Sequence, residues 1–287
     1  MLIDVHCHLD HHFYKDDLDE VIKRAKDAGI KKIVTSGIDM HTNKIALELS
    51  KKYDIVEASL GRYPEDALDR EGYYDYNPNI KISTLEEDKE FFIKHKDKFV
   101  SIGEVGLDLY HGKDLELQKK TFKFMIELAI KLNKPIVIHT RKAEKESLDV
   151  LDEYLENSEL NKNKLIKDSK FKLKKSKTLN PRNVILHCFS GKKKLIDRAI
   201  SNKFNFSIPA NIAKNFQFQY IAKNAPMKQI LTETDGPYLS PFKNEDGSFD
   251  RNESCNVKET IKEIAKIKEI TKEECEKQIF MNYQMIF

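Results

Sequence analysis

Residues 99–139 read FVSIGEVGLDLYHGKDLELQKKTFKFMIELAIKLNKPIVIH. Phe99–Val105 is a short apolar run of the β type. Leu115–Leu132 repeats its apolar residues at helical spacing, and Pro135–His139 returns to a β-type run. One strand–helix–strand unit is written here, with Glu104 near the end of its first strand and His139 at the end of its second. The alternation continues outward in both directions. Strand-like runs stand at Leu2–His6, Lys32–Ser36, Ile55–Leu60, Asn183–His187, Phe204–Ile208 and Gln229–Thr232. Helical spacing occupies Asp17–Ala28, Thr42–Lys52, Leu85–Lys96, Lys142–Leu155, Lys192–Ser201 and a short stretch around Ala213–Ala222. Two further helices, near Val257–Ile267 and Lys272–Gln284, close the chain. Strands that alternate with helices imply an α/β protein with a parallel sheet. Eight such units in 287 residues fit a closed (β/α)8 TIM barrel, a single domain over 1–287. A doubly wound open sheet is disfavoured, because no GxGxxG follows the first strand.

Composition narrows the function classes. The 50 Lys and Arg nearly cancel the 47 Asp and Glu, leaving a net charge of +3. That balance describes a well-solvated surface and does not advertise nucleic-acid binding by the chain as a whole. No apolar run reaches the ~18 residues of a membrane span. His6, His8, Asp4 and Asp10 stand where a signal peptide would need an apolar core, so a cytoplasmic protein is expected. Cys7, Cys188, Cys255 and Cys275 are scattered, which disfavours a disulfide framework or a Cys-rich zinc site. One segment breaks the rhythm. Residues 156–180 form a Lys-rich insertion, read as a solvated excursion, with a basic arm for nucleic acid as the other reading.

The chemistry collects at strand ends. In a (β/α)8 barrel all C-terminal strand ends gather on one face, where such enzymes react. His6 and His8, an H-x-H pair, end the first strand, Glu104 the fourth, His139 the fifth and His187 the sixth, while Asp235 follows the eighth. A lone histidine at a strand end is ordinarily structural; the combination is what points to a divalent-metal site. A carboxylate inside the apolar run VSIGEVGL is costly to bury unless it is paired or bound to metal. The set exceeds what one catalytic ion with open positions takes, so two divalent ions are expected, with Glu104 as the natural bridge. Mixed nitrogen and oxygen donors suit Mg, Mn or Zn.

The runs IDVHCHLD (3–10), IGEVGLD (102–108), PIVIHTRKA (135–143), LHCFSG (186–191), ETDGPYLSP (233–241) and RNES (251–254) resemble the TatD family of metal-dependent deoxyribonucleases. The resemblance implies a (β/α)8 barrel of the amidohydrolase-like class that hydrolyses DNA phosphodiester bonds with divalent metals, often from the 3′ end. It implies that His6 and His8 hold one ion and that His139 and His187 hold the second. Glu104 would bridge the two, and Asp235 would ligate the first and orient the attacking water. The motif departs from the family at three places: Tyr63 replaces the usual His in Gly61–Pro64, Ser254 replaces a Pro, and TDGPYL carries Gly236. Tyr63 therefore bears on substrate specificity.

On this reading Asp235 serves as general base. DNA, single-stranded or at its 3′ ends, is the expected substrate. Arg141 and Arg251 are the candidate phosphate contacts, since a guanidinium binds phosphate oxygens in pairs. The plain alternatives are a surface ion pair for Arg141 and an ion pair with Glu253 or a neighbour for Arg251. A metal-dependent amidohydrolase or esterase for a small molecule is the alternative enzyme, and a non-catalytic metal-holding barrel the alternative outside enzymes. Asp4 is expected on the ligand side of its strand in a structural role. His11 and His12 are expected to be solvated, His41, His95 and His111 to lie on the surface or in loops, and Cys7 and Cys188 to pack outside the bore. The cluster Tyr73-Tyr74-Asp75-Tyr76 is read either as a stacking surface for bases or as a loop anchor.

Overall fold

In the computed structural model, which describes residues 1–64, 82–155, 178–244, 246–248 and 250–287, parallel strands follow one another around a barrel in sequence order. They are β1 (Leu2–Cys7), β2 (Ile30–Ser36), β3 (Val56–Arg62), β4 (Ser101–Asp108), β5 (Ile136–Arg141), β6 (Val184–His187), β7 (Asn205–Ile208) and β8 (Ile230–Thr232). Backbone bonds beside the first and last strands close the circle: Asp235 N–H donates to the His6 carbonyl at 2.9 Å and His8 N–H to the Gly236 carbonyl at 2.8 Å. The helices around the barrel are α1 (Leu18–Asp27), α2 (Met40–Lys52), α3 (Leu85–Lys94), α4 (Leu115–Leu132), α5 (Glu144–Asp152), α6 (Lys193–Ser201), α7 (Phe216–Asn224), α8 (Val257–Lys268) and α9 (Lys272–Ile286). The (β/α)8 expectation is met. Residues 156–177 of the Lys-rich insertion and the cluster Tyr73–Tyr76 lie outside the described residues.

The sequence dictates these elements locally. In α4 the buried residues Gln118, Thr121, Phe122, Met125, Ile126 and Ala129 recur at helical spacing, and the Asp114 carboxylate caps the first turn by accepting from Leu117 N–H. Capping boxes open α2 (Asp39 and Thr42), α3 (Thr84 and Glu87) and α9 (Thr271 and Glu274). Strand alternation sorts the apolar residues into two cores. Ile3, Val5, Val34, Val137, Ile185 and Leu231 fill the bore, while Ile136, Ile138, Val184 and Leu186 face the helices. Tyr283, Phe280 and Ile286 of α9 pack on the bore residues, and the Asn282 amide donates to the carbonyls of Met227 and Ile230. The last helix thus plugs the end where the strands begin. Chemistry is left to the opposite end.

Two β-bulges decide what points inward. In β1, Asp4 pairs with Ile33 but Cys7 with Thr35, one extra residue. In β4, Ile102 pairs with Ile136 but Val105 with Ile138, again one extra. Each bulge shifts the parity of its strand. Asp4 is consequently turned away from the ligand side, contrary to the simple alternation. It accepts from Thr234 N–H at 2.9 Å and Thr234 Oγ1–H at 2.6 Å. Burial pushes its carboxyl up to about 7. Its structural role, tying β1 to the segment after β8, agrees with the expectation. Cys7 packs among the outer core residues, as expected.

Gly106 makes a sharp local prediction. Its φ is +152°, it pairs with His139, and a Cβ there would lie 2.0 Å from the His139 carbonyl oxygen. Gly106→Ala must push β5 away at that point. A loss of about 3 kcal/mol is expected in denaturant titration; an unchanged midpoint would contradict the close approach.

Candidate metal centre

The bore side of the strand ends gathers the six groups singled out from the sequence. Continued alternation from Val137 and Ile185 points His139 and His187 inward, and the two bulges do the same for His6 and Glu104. The Nε2 atoms of His6 and His8 lie 3.2 Å apart. Asp235 Oδ1 is 3.7 Å from the Nε2 of His6, of His8 and of His187. Glu104 divides its oxygens. Oε2 lies 3.4 and 3.5 Å from the Nε2 atoms of His6 and His8, and Oε1 lies 2.6 Å from His139 Nδ1 and 3.8 Å from His187 Nε2. Of the four overlapping groups among the described residues with the reach of a metal ion, two together take in all six residues: His6, His8 and Asp235, and Glu104, His139 and His187.

A second layer fixes each ring. His8 Nδ1 sits 3.0 Å from the Ser36 carbonyl, which only accepts, so Nδ1 carries the proton and Nε2 presents its lone pair to the centre. Ser36 Oγ holds His6 Nδ1 at 3.1 Å. Glu233 Oε2 holds His187 Nδ1 at 2.8 Å and is itself bonded by Ser207. His139 is turned the other way: its Nε2 faces the Tyr63 hydroxyl at 2.9 Å and Asp108 Oδ2 at 3.3 Å, leaving Nδ1 for Glu104.

The electrostatics favour cations. Burial works to raise the Glu104 carboxyl, yet the His139 and His6 imidazoles hold it well below the usual carboxylate range. Asp235 is likewise held down against burial, chiefly by His187. Burial opposes charge on His187, but Glu233 and Asp235 push its imidazole up to about 10. His6 goes the other way, lowered by burial and by His187, which keeps it a neutral donor. Glu104 Oε2 and Asp235 Oδ1 are buried with no hydrogen-bond partner among the described residues. Unpaired carboxylate oxygens at this depth are expensive unless a cation meets them. The donor set therefore fits divalent ions.

The mouth of the site is a cavity of about 410 Å³, bounded by Glu104, His139, His187, Asp235, Arg141 and Cys188 among others. The remaining sequence candidates fall out unequally. Arg141 is on the rim, its Nη1 3.2 Å from His111 Nδ1, and His111 lines the entrance. Arg251 is engaged elsewhere: it pairs through both terminal nitrogens with Asp17 and through Nη2 with Glu253, the ion-pair alternative. Tyr63 is fully buried behind His139 and donates to Asp108 Oδ2 at 2.7 Å, so it bears on the cavity only through that ring.

One expectation holds only in part and another fails. Cys188 packs against the outer core, yet it also reaches the cavity. β6 ends at His187, Cys188 takes a left-handed backbone (φ 44°), and alternation stops applying. Its thiol donates to Glu233 Oε1 at 3.0 Å and lines the cavity. His11 is buried rather than solvated. It accepts from Phe13 N–H through Nδ1, its Nε2 meets the Tyr238 hydroxyl, and burial lowers it to about 4.

Asp108 and Glu233 were missed in the sequence. For Asp108 the signal was present, a carboxylate in the apolar run GLDLY, the same mark that singled out Glu104; Glu233, between two threonines in ILTETD, carries no such mark. Tyr63→Phe removes one of the two acceptors facing His139 Nε2 and the donor to Asp108. A loss of about tenfold in metal affinity or turnover is expected. Metal titration with an activity assay checks it, and parity with the parent would show that Asp108 alone orients the ring.

The family described as TatD related DNase matches residues 3–287. An uncharacterized metal-dependent hydrolase, YabD of Bacillus subtilis, is 32% identical over 281 residues, covering 96% of this chain and 94% of its own. The 3′-5′ ssDNA/RNA exonuclease TatD of Salmonella typhimurium is 24% identical over 244 residues, 84% of this chain and 80% of its own. Among solved structures, a TatD homologue from Escherichia coli superposes with a TM-score of 0.77 at 21% identity, covering 100% of this chain and 97% of that one.

Proposed function

The chain belongs to the TatD family of related DNases, and from that premise we propose that its metal-dependent hydrolase activity is directed at DNA phosphodiester bonds, removed one nucleotide at a time from a 3′ end. The observation that supports this most is the division of Glu104, whose two oxygens face two different donor sets. His6, His8 and Asp235 would hold one ion and His139 and His187 the other, with Glu104 shared between them. Ions bound there supply Lewis acidity and bring the pKa of water toward neutrality. The protein's own groups do the rest. Asp235, whose side chain lines the cavity, accepts the proton of the attacking water. Ser36, Glu233, Asp108 and Tyr63 hold the imidazoles in the tautomers that keep a lone pair on the centre. Arg141, on the rim beside His139, grips the phosphate.

The preference for single strands and for 3′ ends follows the Salmonella relative's name. Which of Mg, Mn or Zn serves is open to the same donors. Residues 1–287 act as one domain in this reading, and a cytoplasmic location accompanies it. No described helix is long and apolar enough to cross a membrane.

The test uses protein stripped with chelator and returned to Mg, Mn or Zn, incubated with end-labelled single- and double-stranded DNA. A ladder that shortens from the 3′ end, only with metal, is expected. Two bound ions with intact DNA would keep the centre and remove the substrate, turning attention to small esters and amides.

A further inference from the structure

Beside the metal cavity runs a second groove of about 620 Å³, within the range of ligand sites. It is lined by Phe13, Asn211, Pro237, Tyr238, Leu239, Asp250 and Arg251, and it shares Asn211, Tyr238 and Leu239 with the metal cavity. A molecule reacting at the metals can thus extend into it without leaving the surface. At the seam Leu239 adopts a left-handed backbone, φ 53°, a conformation that costs a non-glycine residue energy and persists where the surroundings enforce it.

The lining is aromatic and held in place. Phe13 is 53% exposed. His11 and His12 meet its ring edge-on, with centroids 4.6 and 4.4 Å away and interplanar angles of 64° and 71°. Tyr238 is fixed by its hydroxyl on His11 Nε2 at 3.0 Å. Arg251 forms a wall rather than an anion site: Asp17 and Glu253 bind its guanidinium, which lies over the Tyr14 ring at 5.2 Å. The groove is therefore built for a flat, largely uncharged group. Elsewhere the same preference shows. Among the described residues the exposed Phe and Tyr rings are Phe13, Tyr110, Phe216 and Phe242, and every one follows the C-terminal end of a strand, on the reacting face.

We infer that this groove is a nucleobase subsite, in which the base of the nucleotide next to the scissile phosphate stacks on Phe13 against Tyr238. The inference rests on the DNA reading proposed above. It adds that recognition there is by stacking, since every base offers a π-face to the Phe13 ring.

The experiment measures binding of a fluorescein-labelled oligothymidylate by anisotropy, with Mg present and Asp235→Asn in every protein to keep the strand intact. A second ligand carries abasic tetrahydrofuran at its two 3′-terminal positions. Phe13→Ala is expected to weaken the normal strand about tenfold and the abasic strand hardly at all, and Phe13→Trp to restore binding. Equal weakening of both strands would mean that Phe13 acts only on the fold, and no weakening that no base reaches the groove; either overturns the subsite while the hydrolysis ladder of the parent stands. A parent that neither binds nor cuts DNA would remove the DNA reading and the subsite with it.

Discussion

Glu104→Gln is expected to cost about a thousandfold in kcat/KM and to lower the metal content below that of the parent, two ions per chain on the proposed reading. The change is nearly isosteric, so the barrel keeps its shape. What it removes is charge and the equivalence of the two oxygens. Glu104 Oε1 is 2.6 Å from His139 Nδ1 and Oε2 is 3.4 Å from His6 Nε2. A glutamine can present its carbonyl oxygen to only one side and turns an amide N–H toward the other, where it meets imidazole lone pairs that a cation would otherwise take. Thermal unfolding separates a damaged site from a damaged fold. Added metal stabilises the parent with the logarithm of its concentration over Kd, and the variant should show a smaller rise in Tm from a similar metal-free baseline. Two ions per chain and a rate within tenfold of the parent would refute the shared-carboxylate arrangement.

The residues that this prediction uses were legible before the structure, and the reason is physical. Parallel barrels place every reacting group at strand C-termini, so a charged residue ending an apolar run is conspicuous in sequence. His139 and His187 follow plain alternation from Val137 and Ile185. Asp4, one strand-face off from where alternation puts it, shows the limit. A bulge inserts one residue and flips all that follows, and nothing in IDVHCHLD marks where the extra residue falls. Cys188 departs in part for a kindred reason, because its left-handed backbone lies beyond the last strand residue, where parity has no meaning. Arg251 and Arg141 looked alike as guanidiniums near motifs. Only the fold reveals that Asp17, far away in sequence, claims the first.

Asp235→Asn should separate holding the ions from moving the proton. Of the six groups at the centre, Asp235 has the most accessible side chain, 14% exposed against 0–7% for His6, His8, Glu104, His139 and His187. It is therefore the one that an incoming water or phosphate meets. Its backbone is pinned, since Asp235 N–H donates to the His6 carbonyl and Tyr238 N–H to the Asp235 carbonyl. Its left-handed φ of 56° is one that asparagine adopts as readily as aspartate. The substitution thus keeps geometry and leaves one oxygen donor for the His6–His8 ion, but it removes the base. Metal content close to the parent is expected, with a fall of about 10²–10⁴ in kcat. Against Glu104→Gln the contrast is diagnostic: one variant loses ions and rate together, the other rate alone. If excess metal restored the Asp235→Asn rate, Asp235 would be a ligand only and the proton would have to leave by another group. Glu233 is poorly placed to take it, because His187, Ser207 and Cys188 already occupy its oxygens.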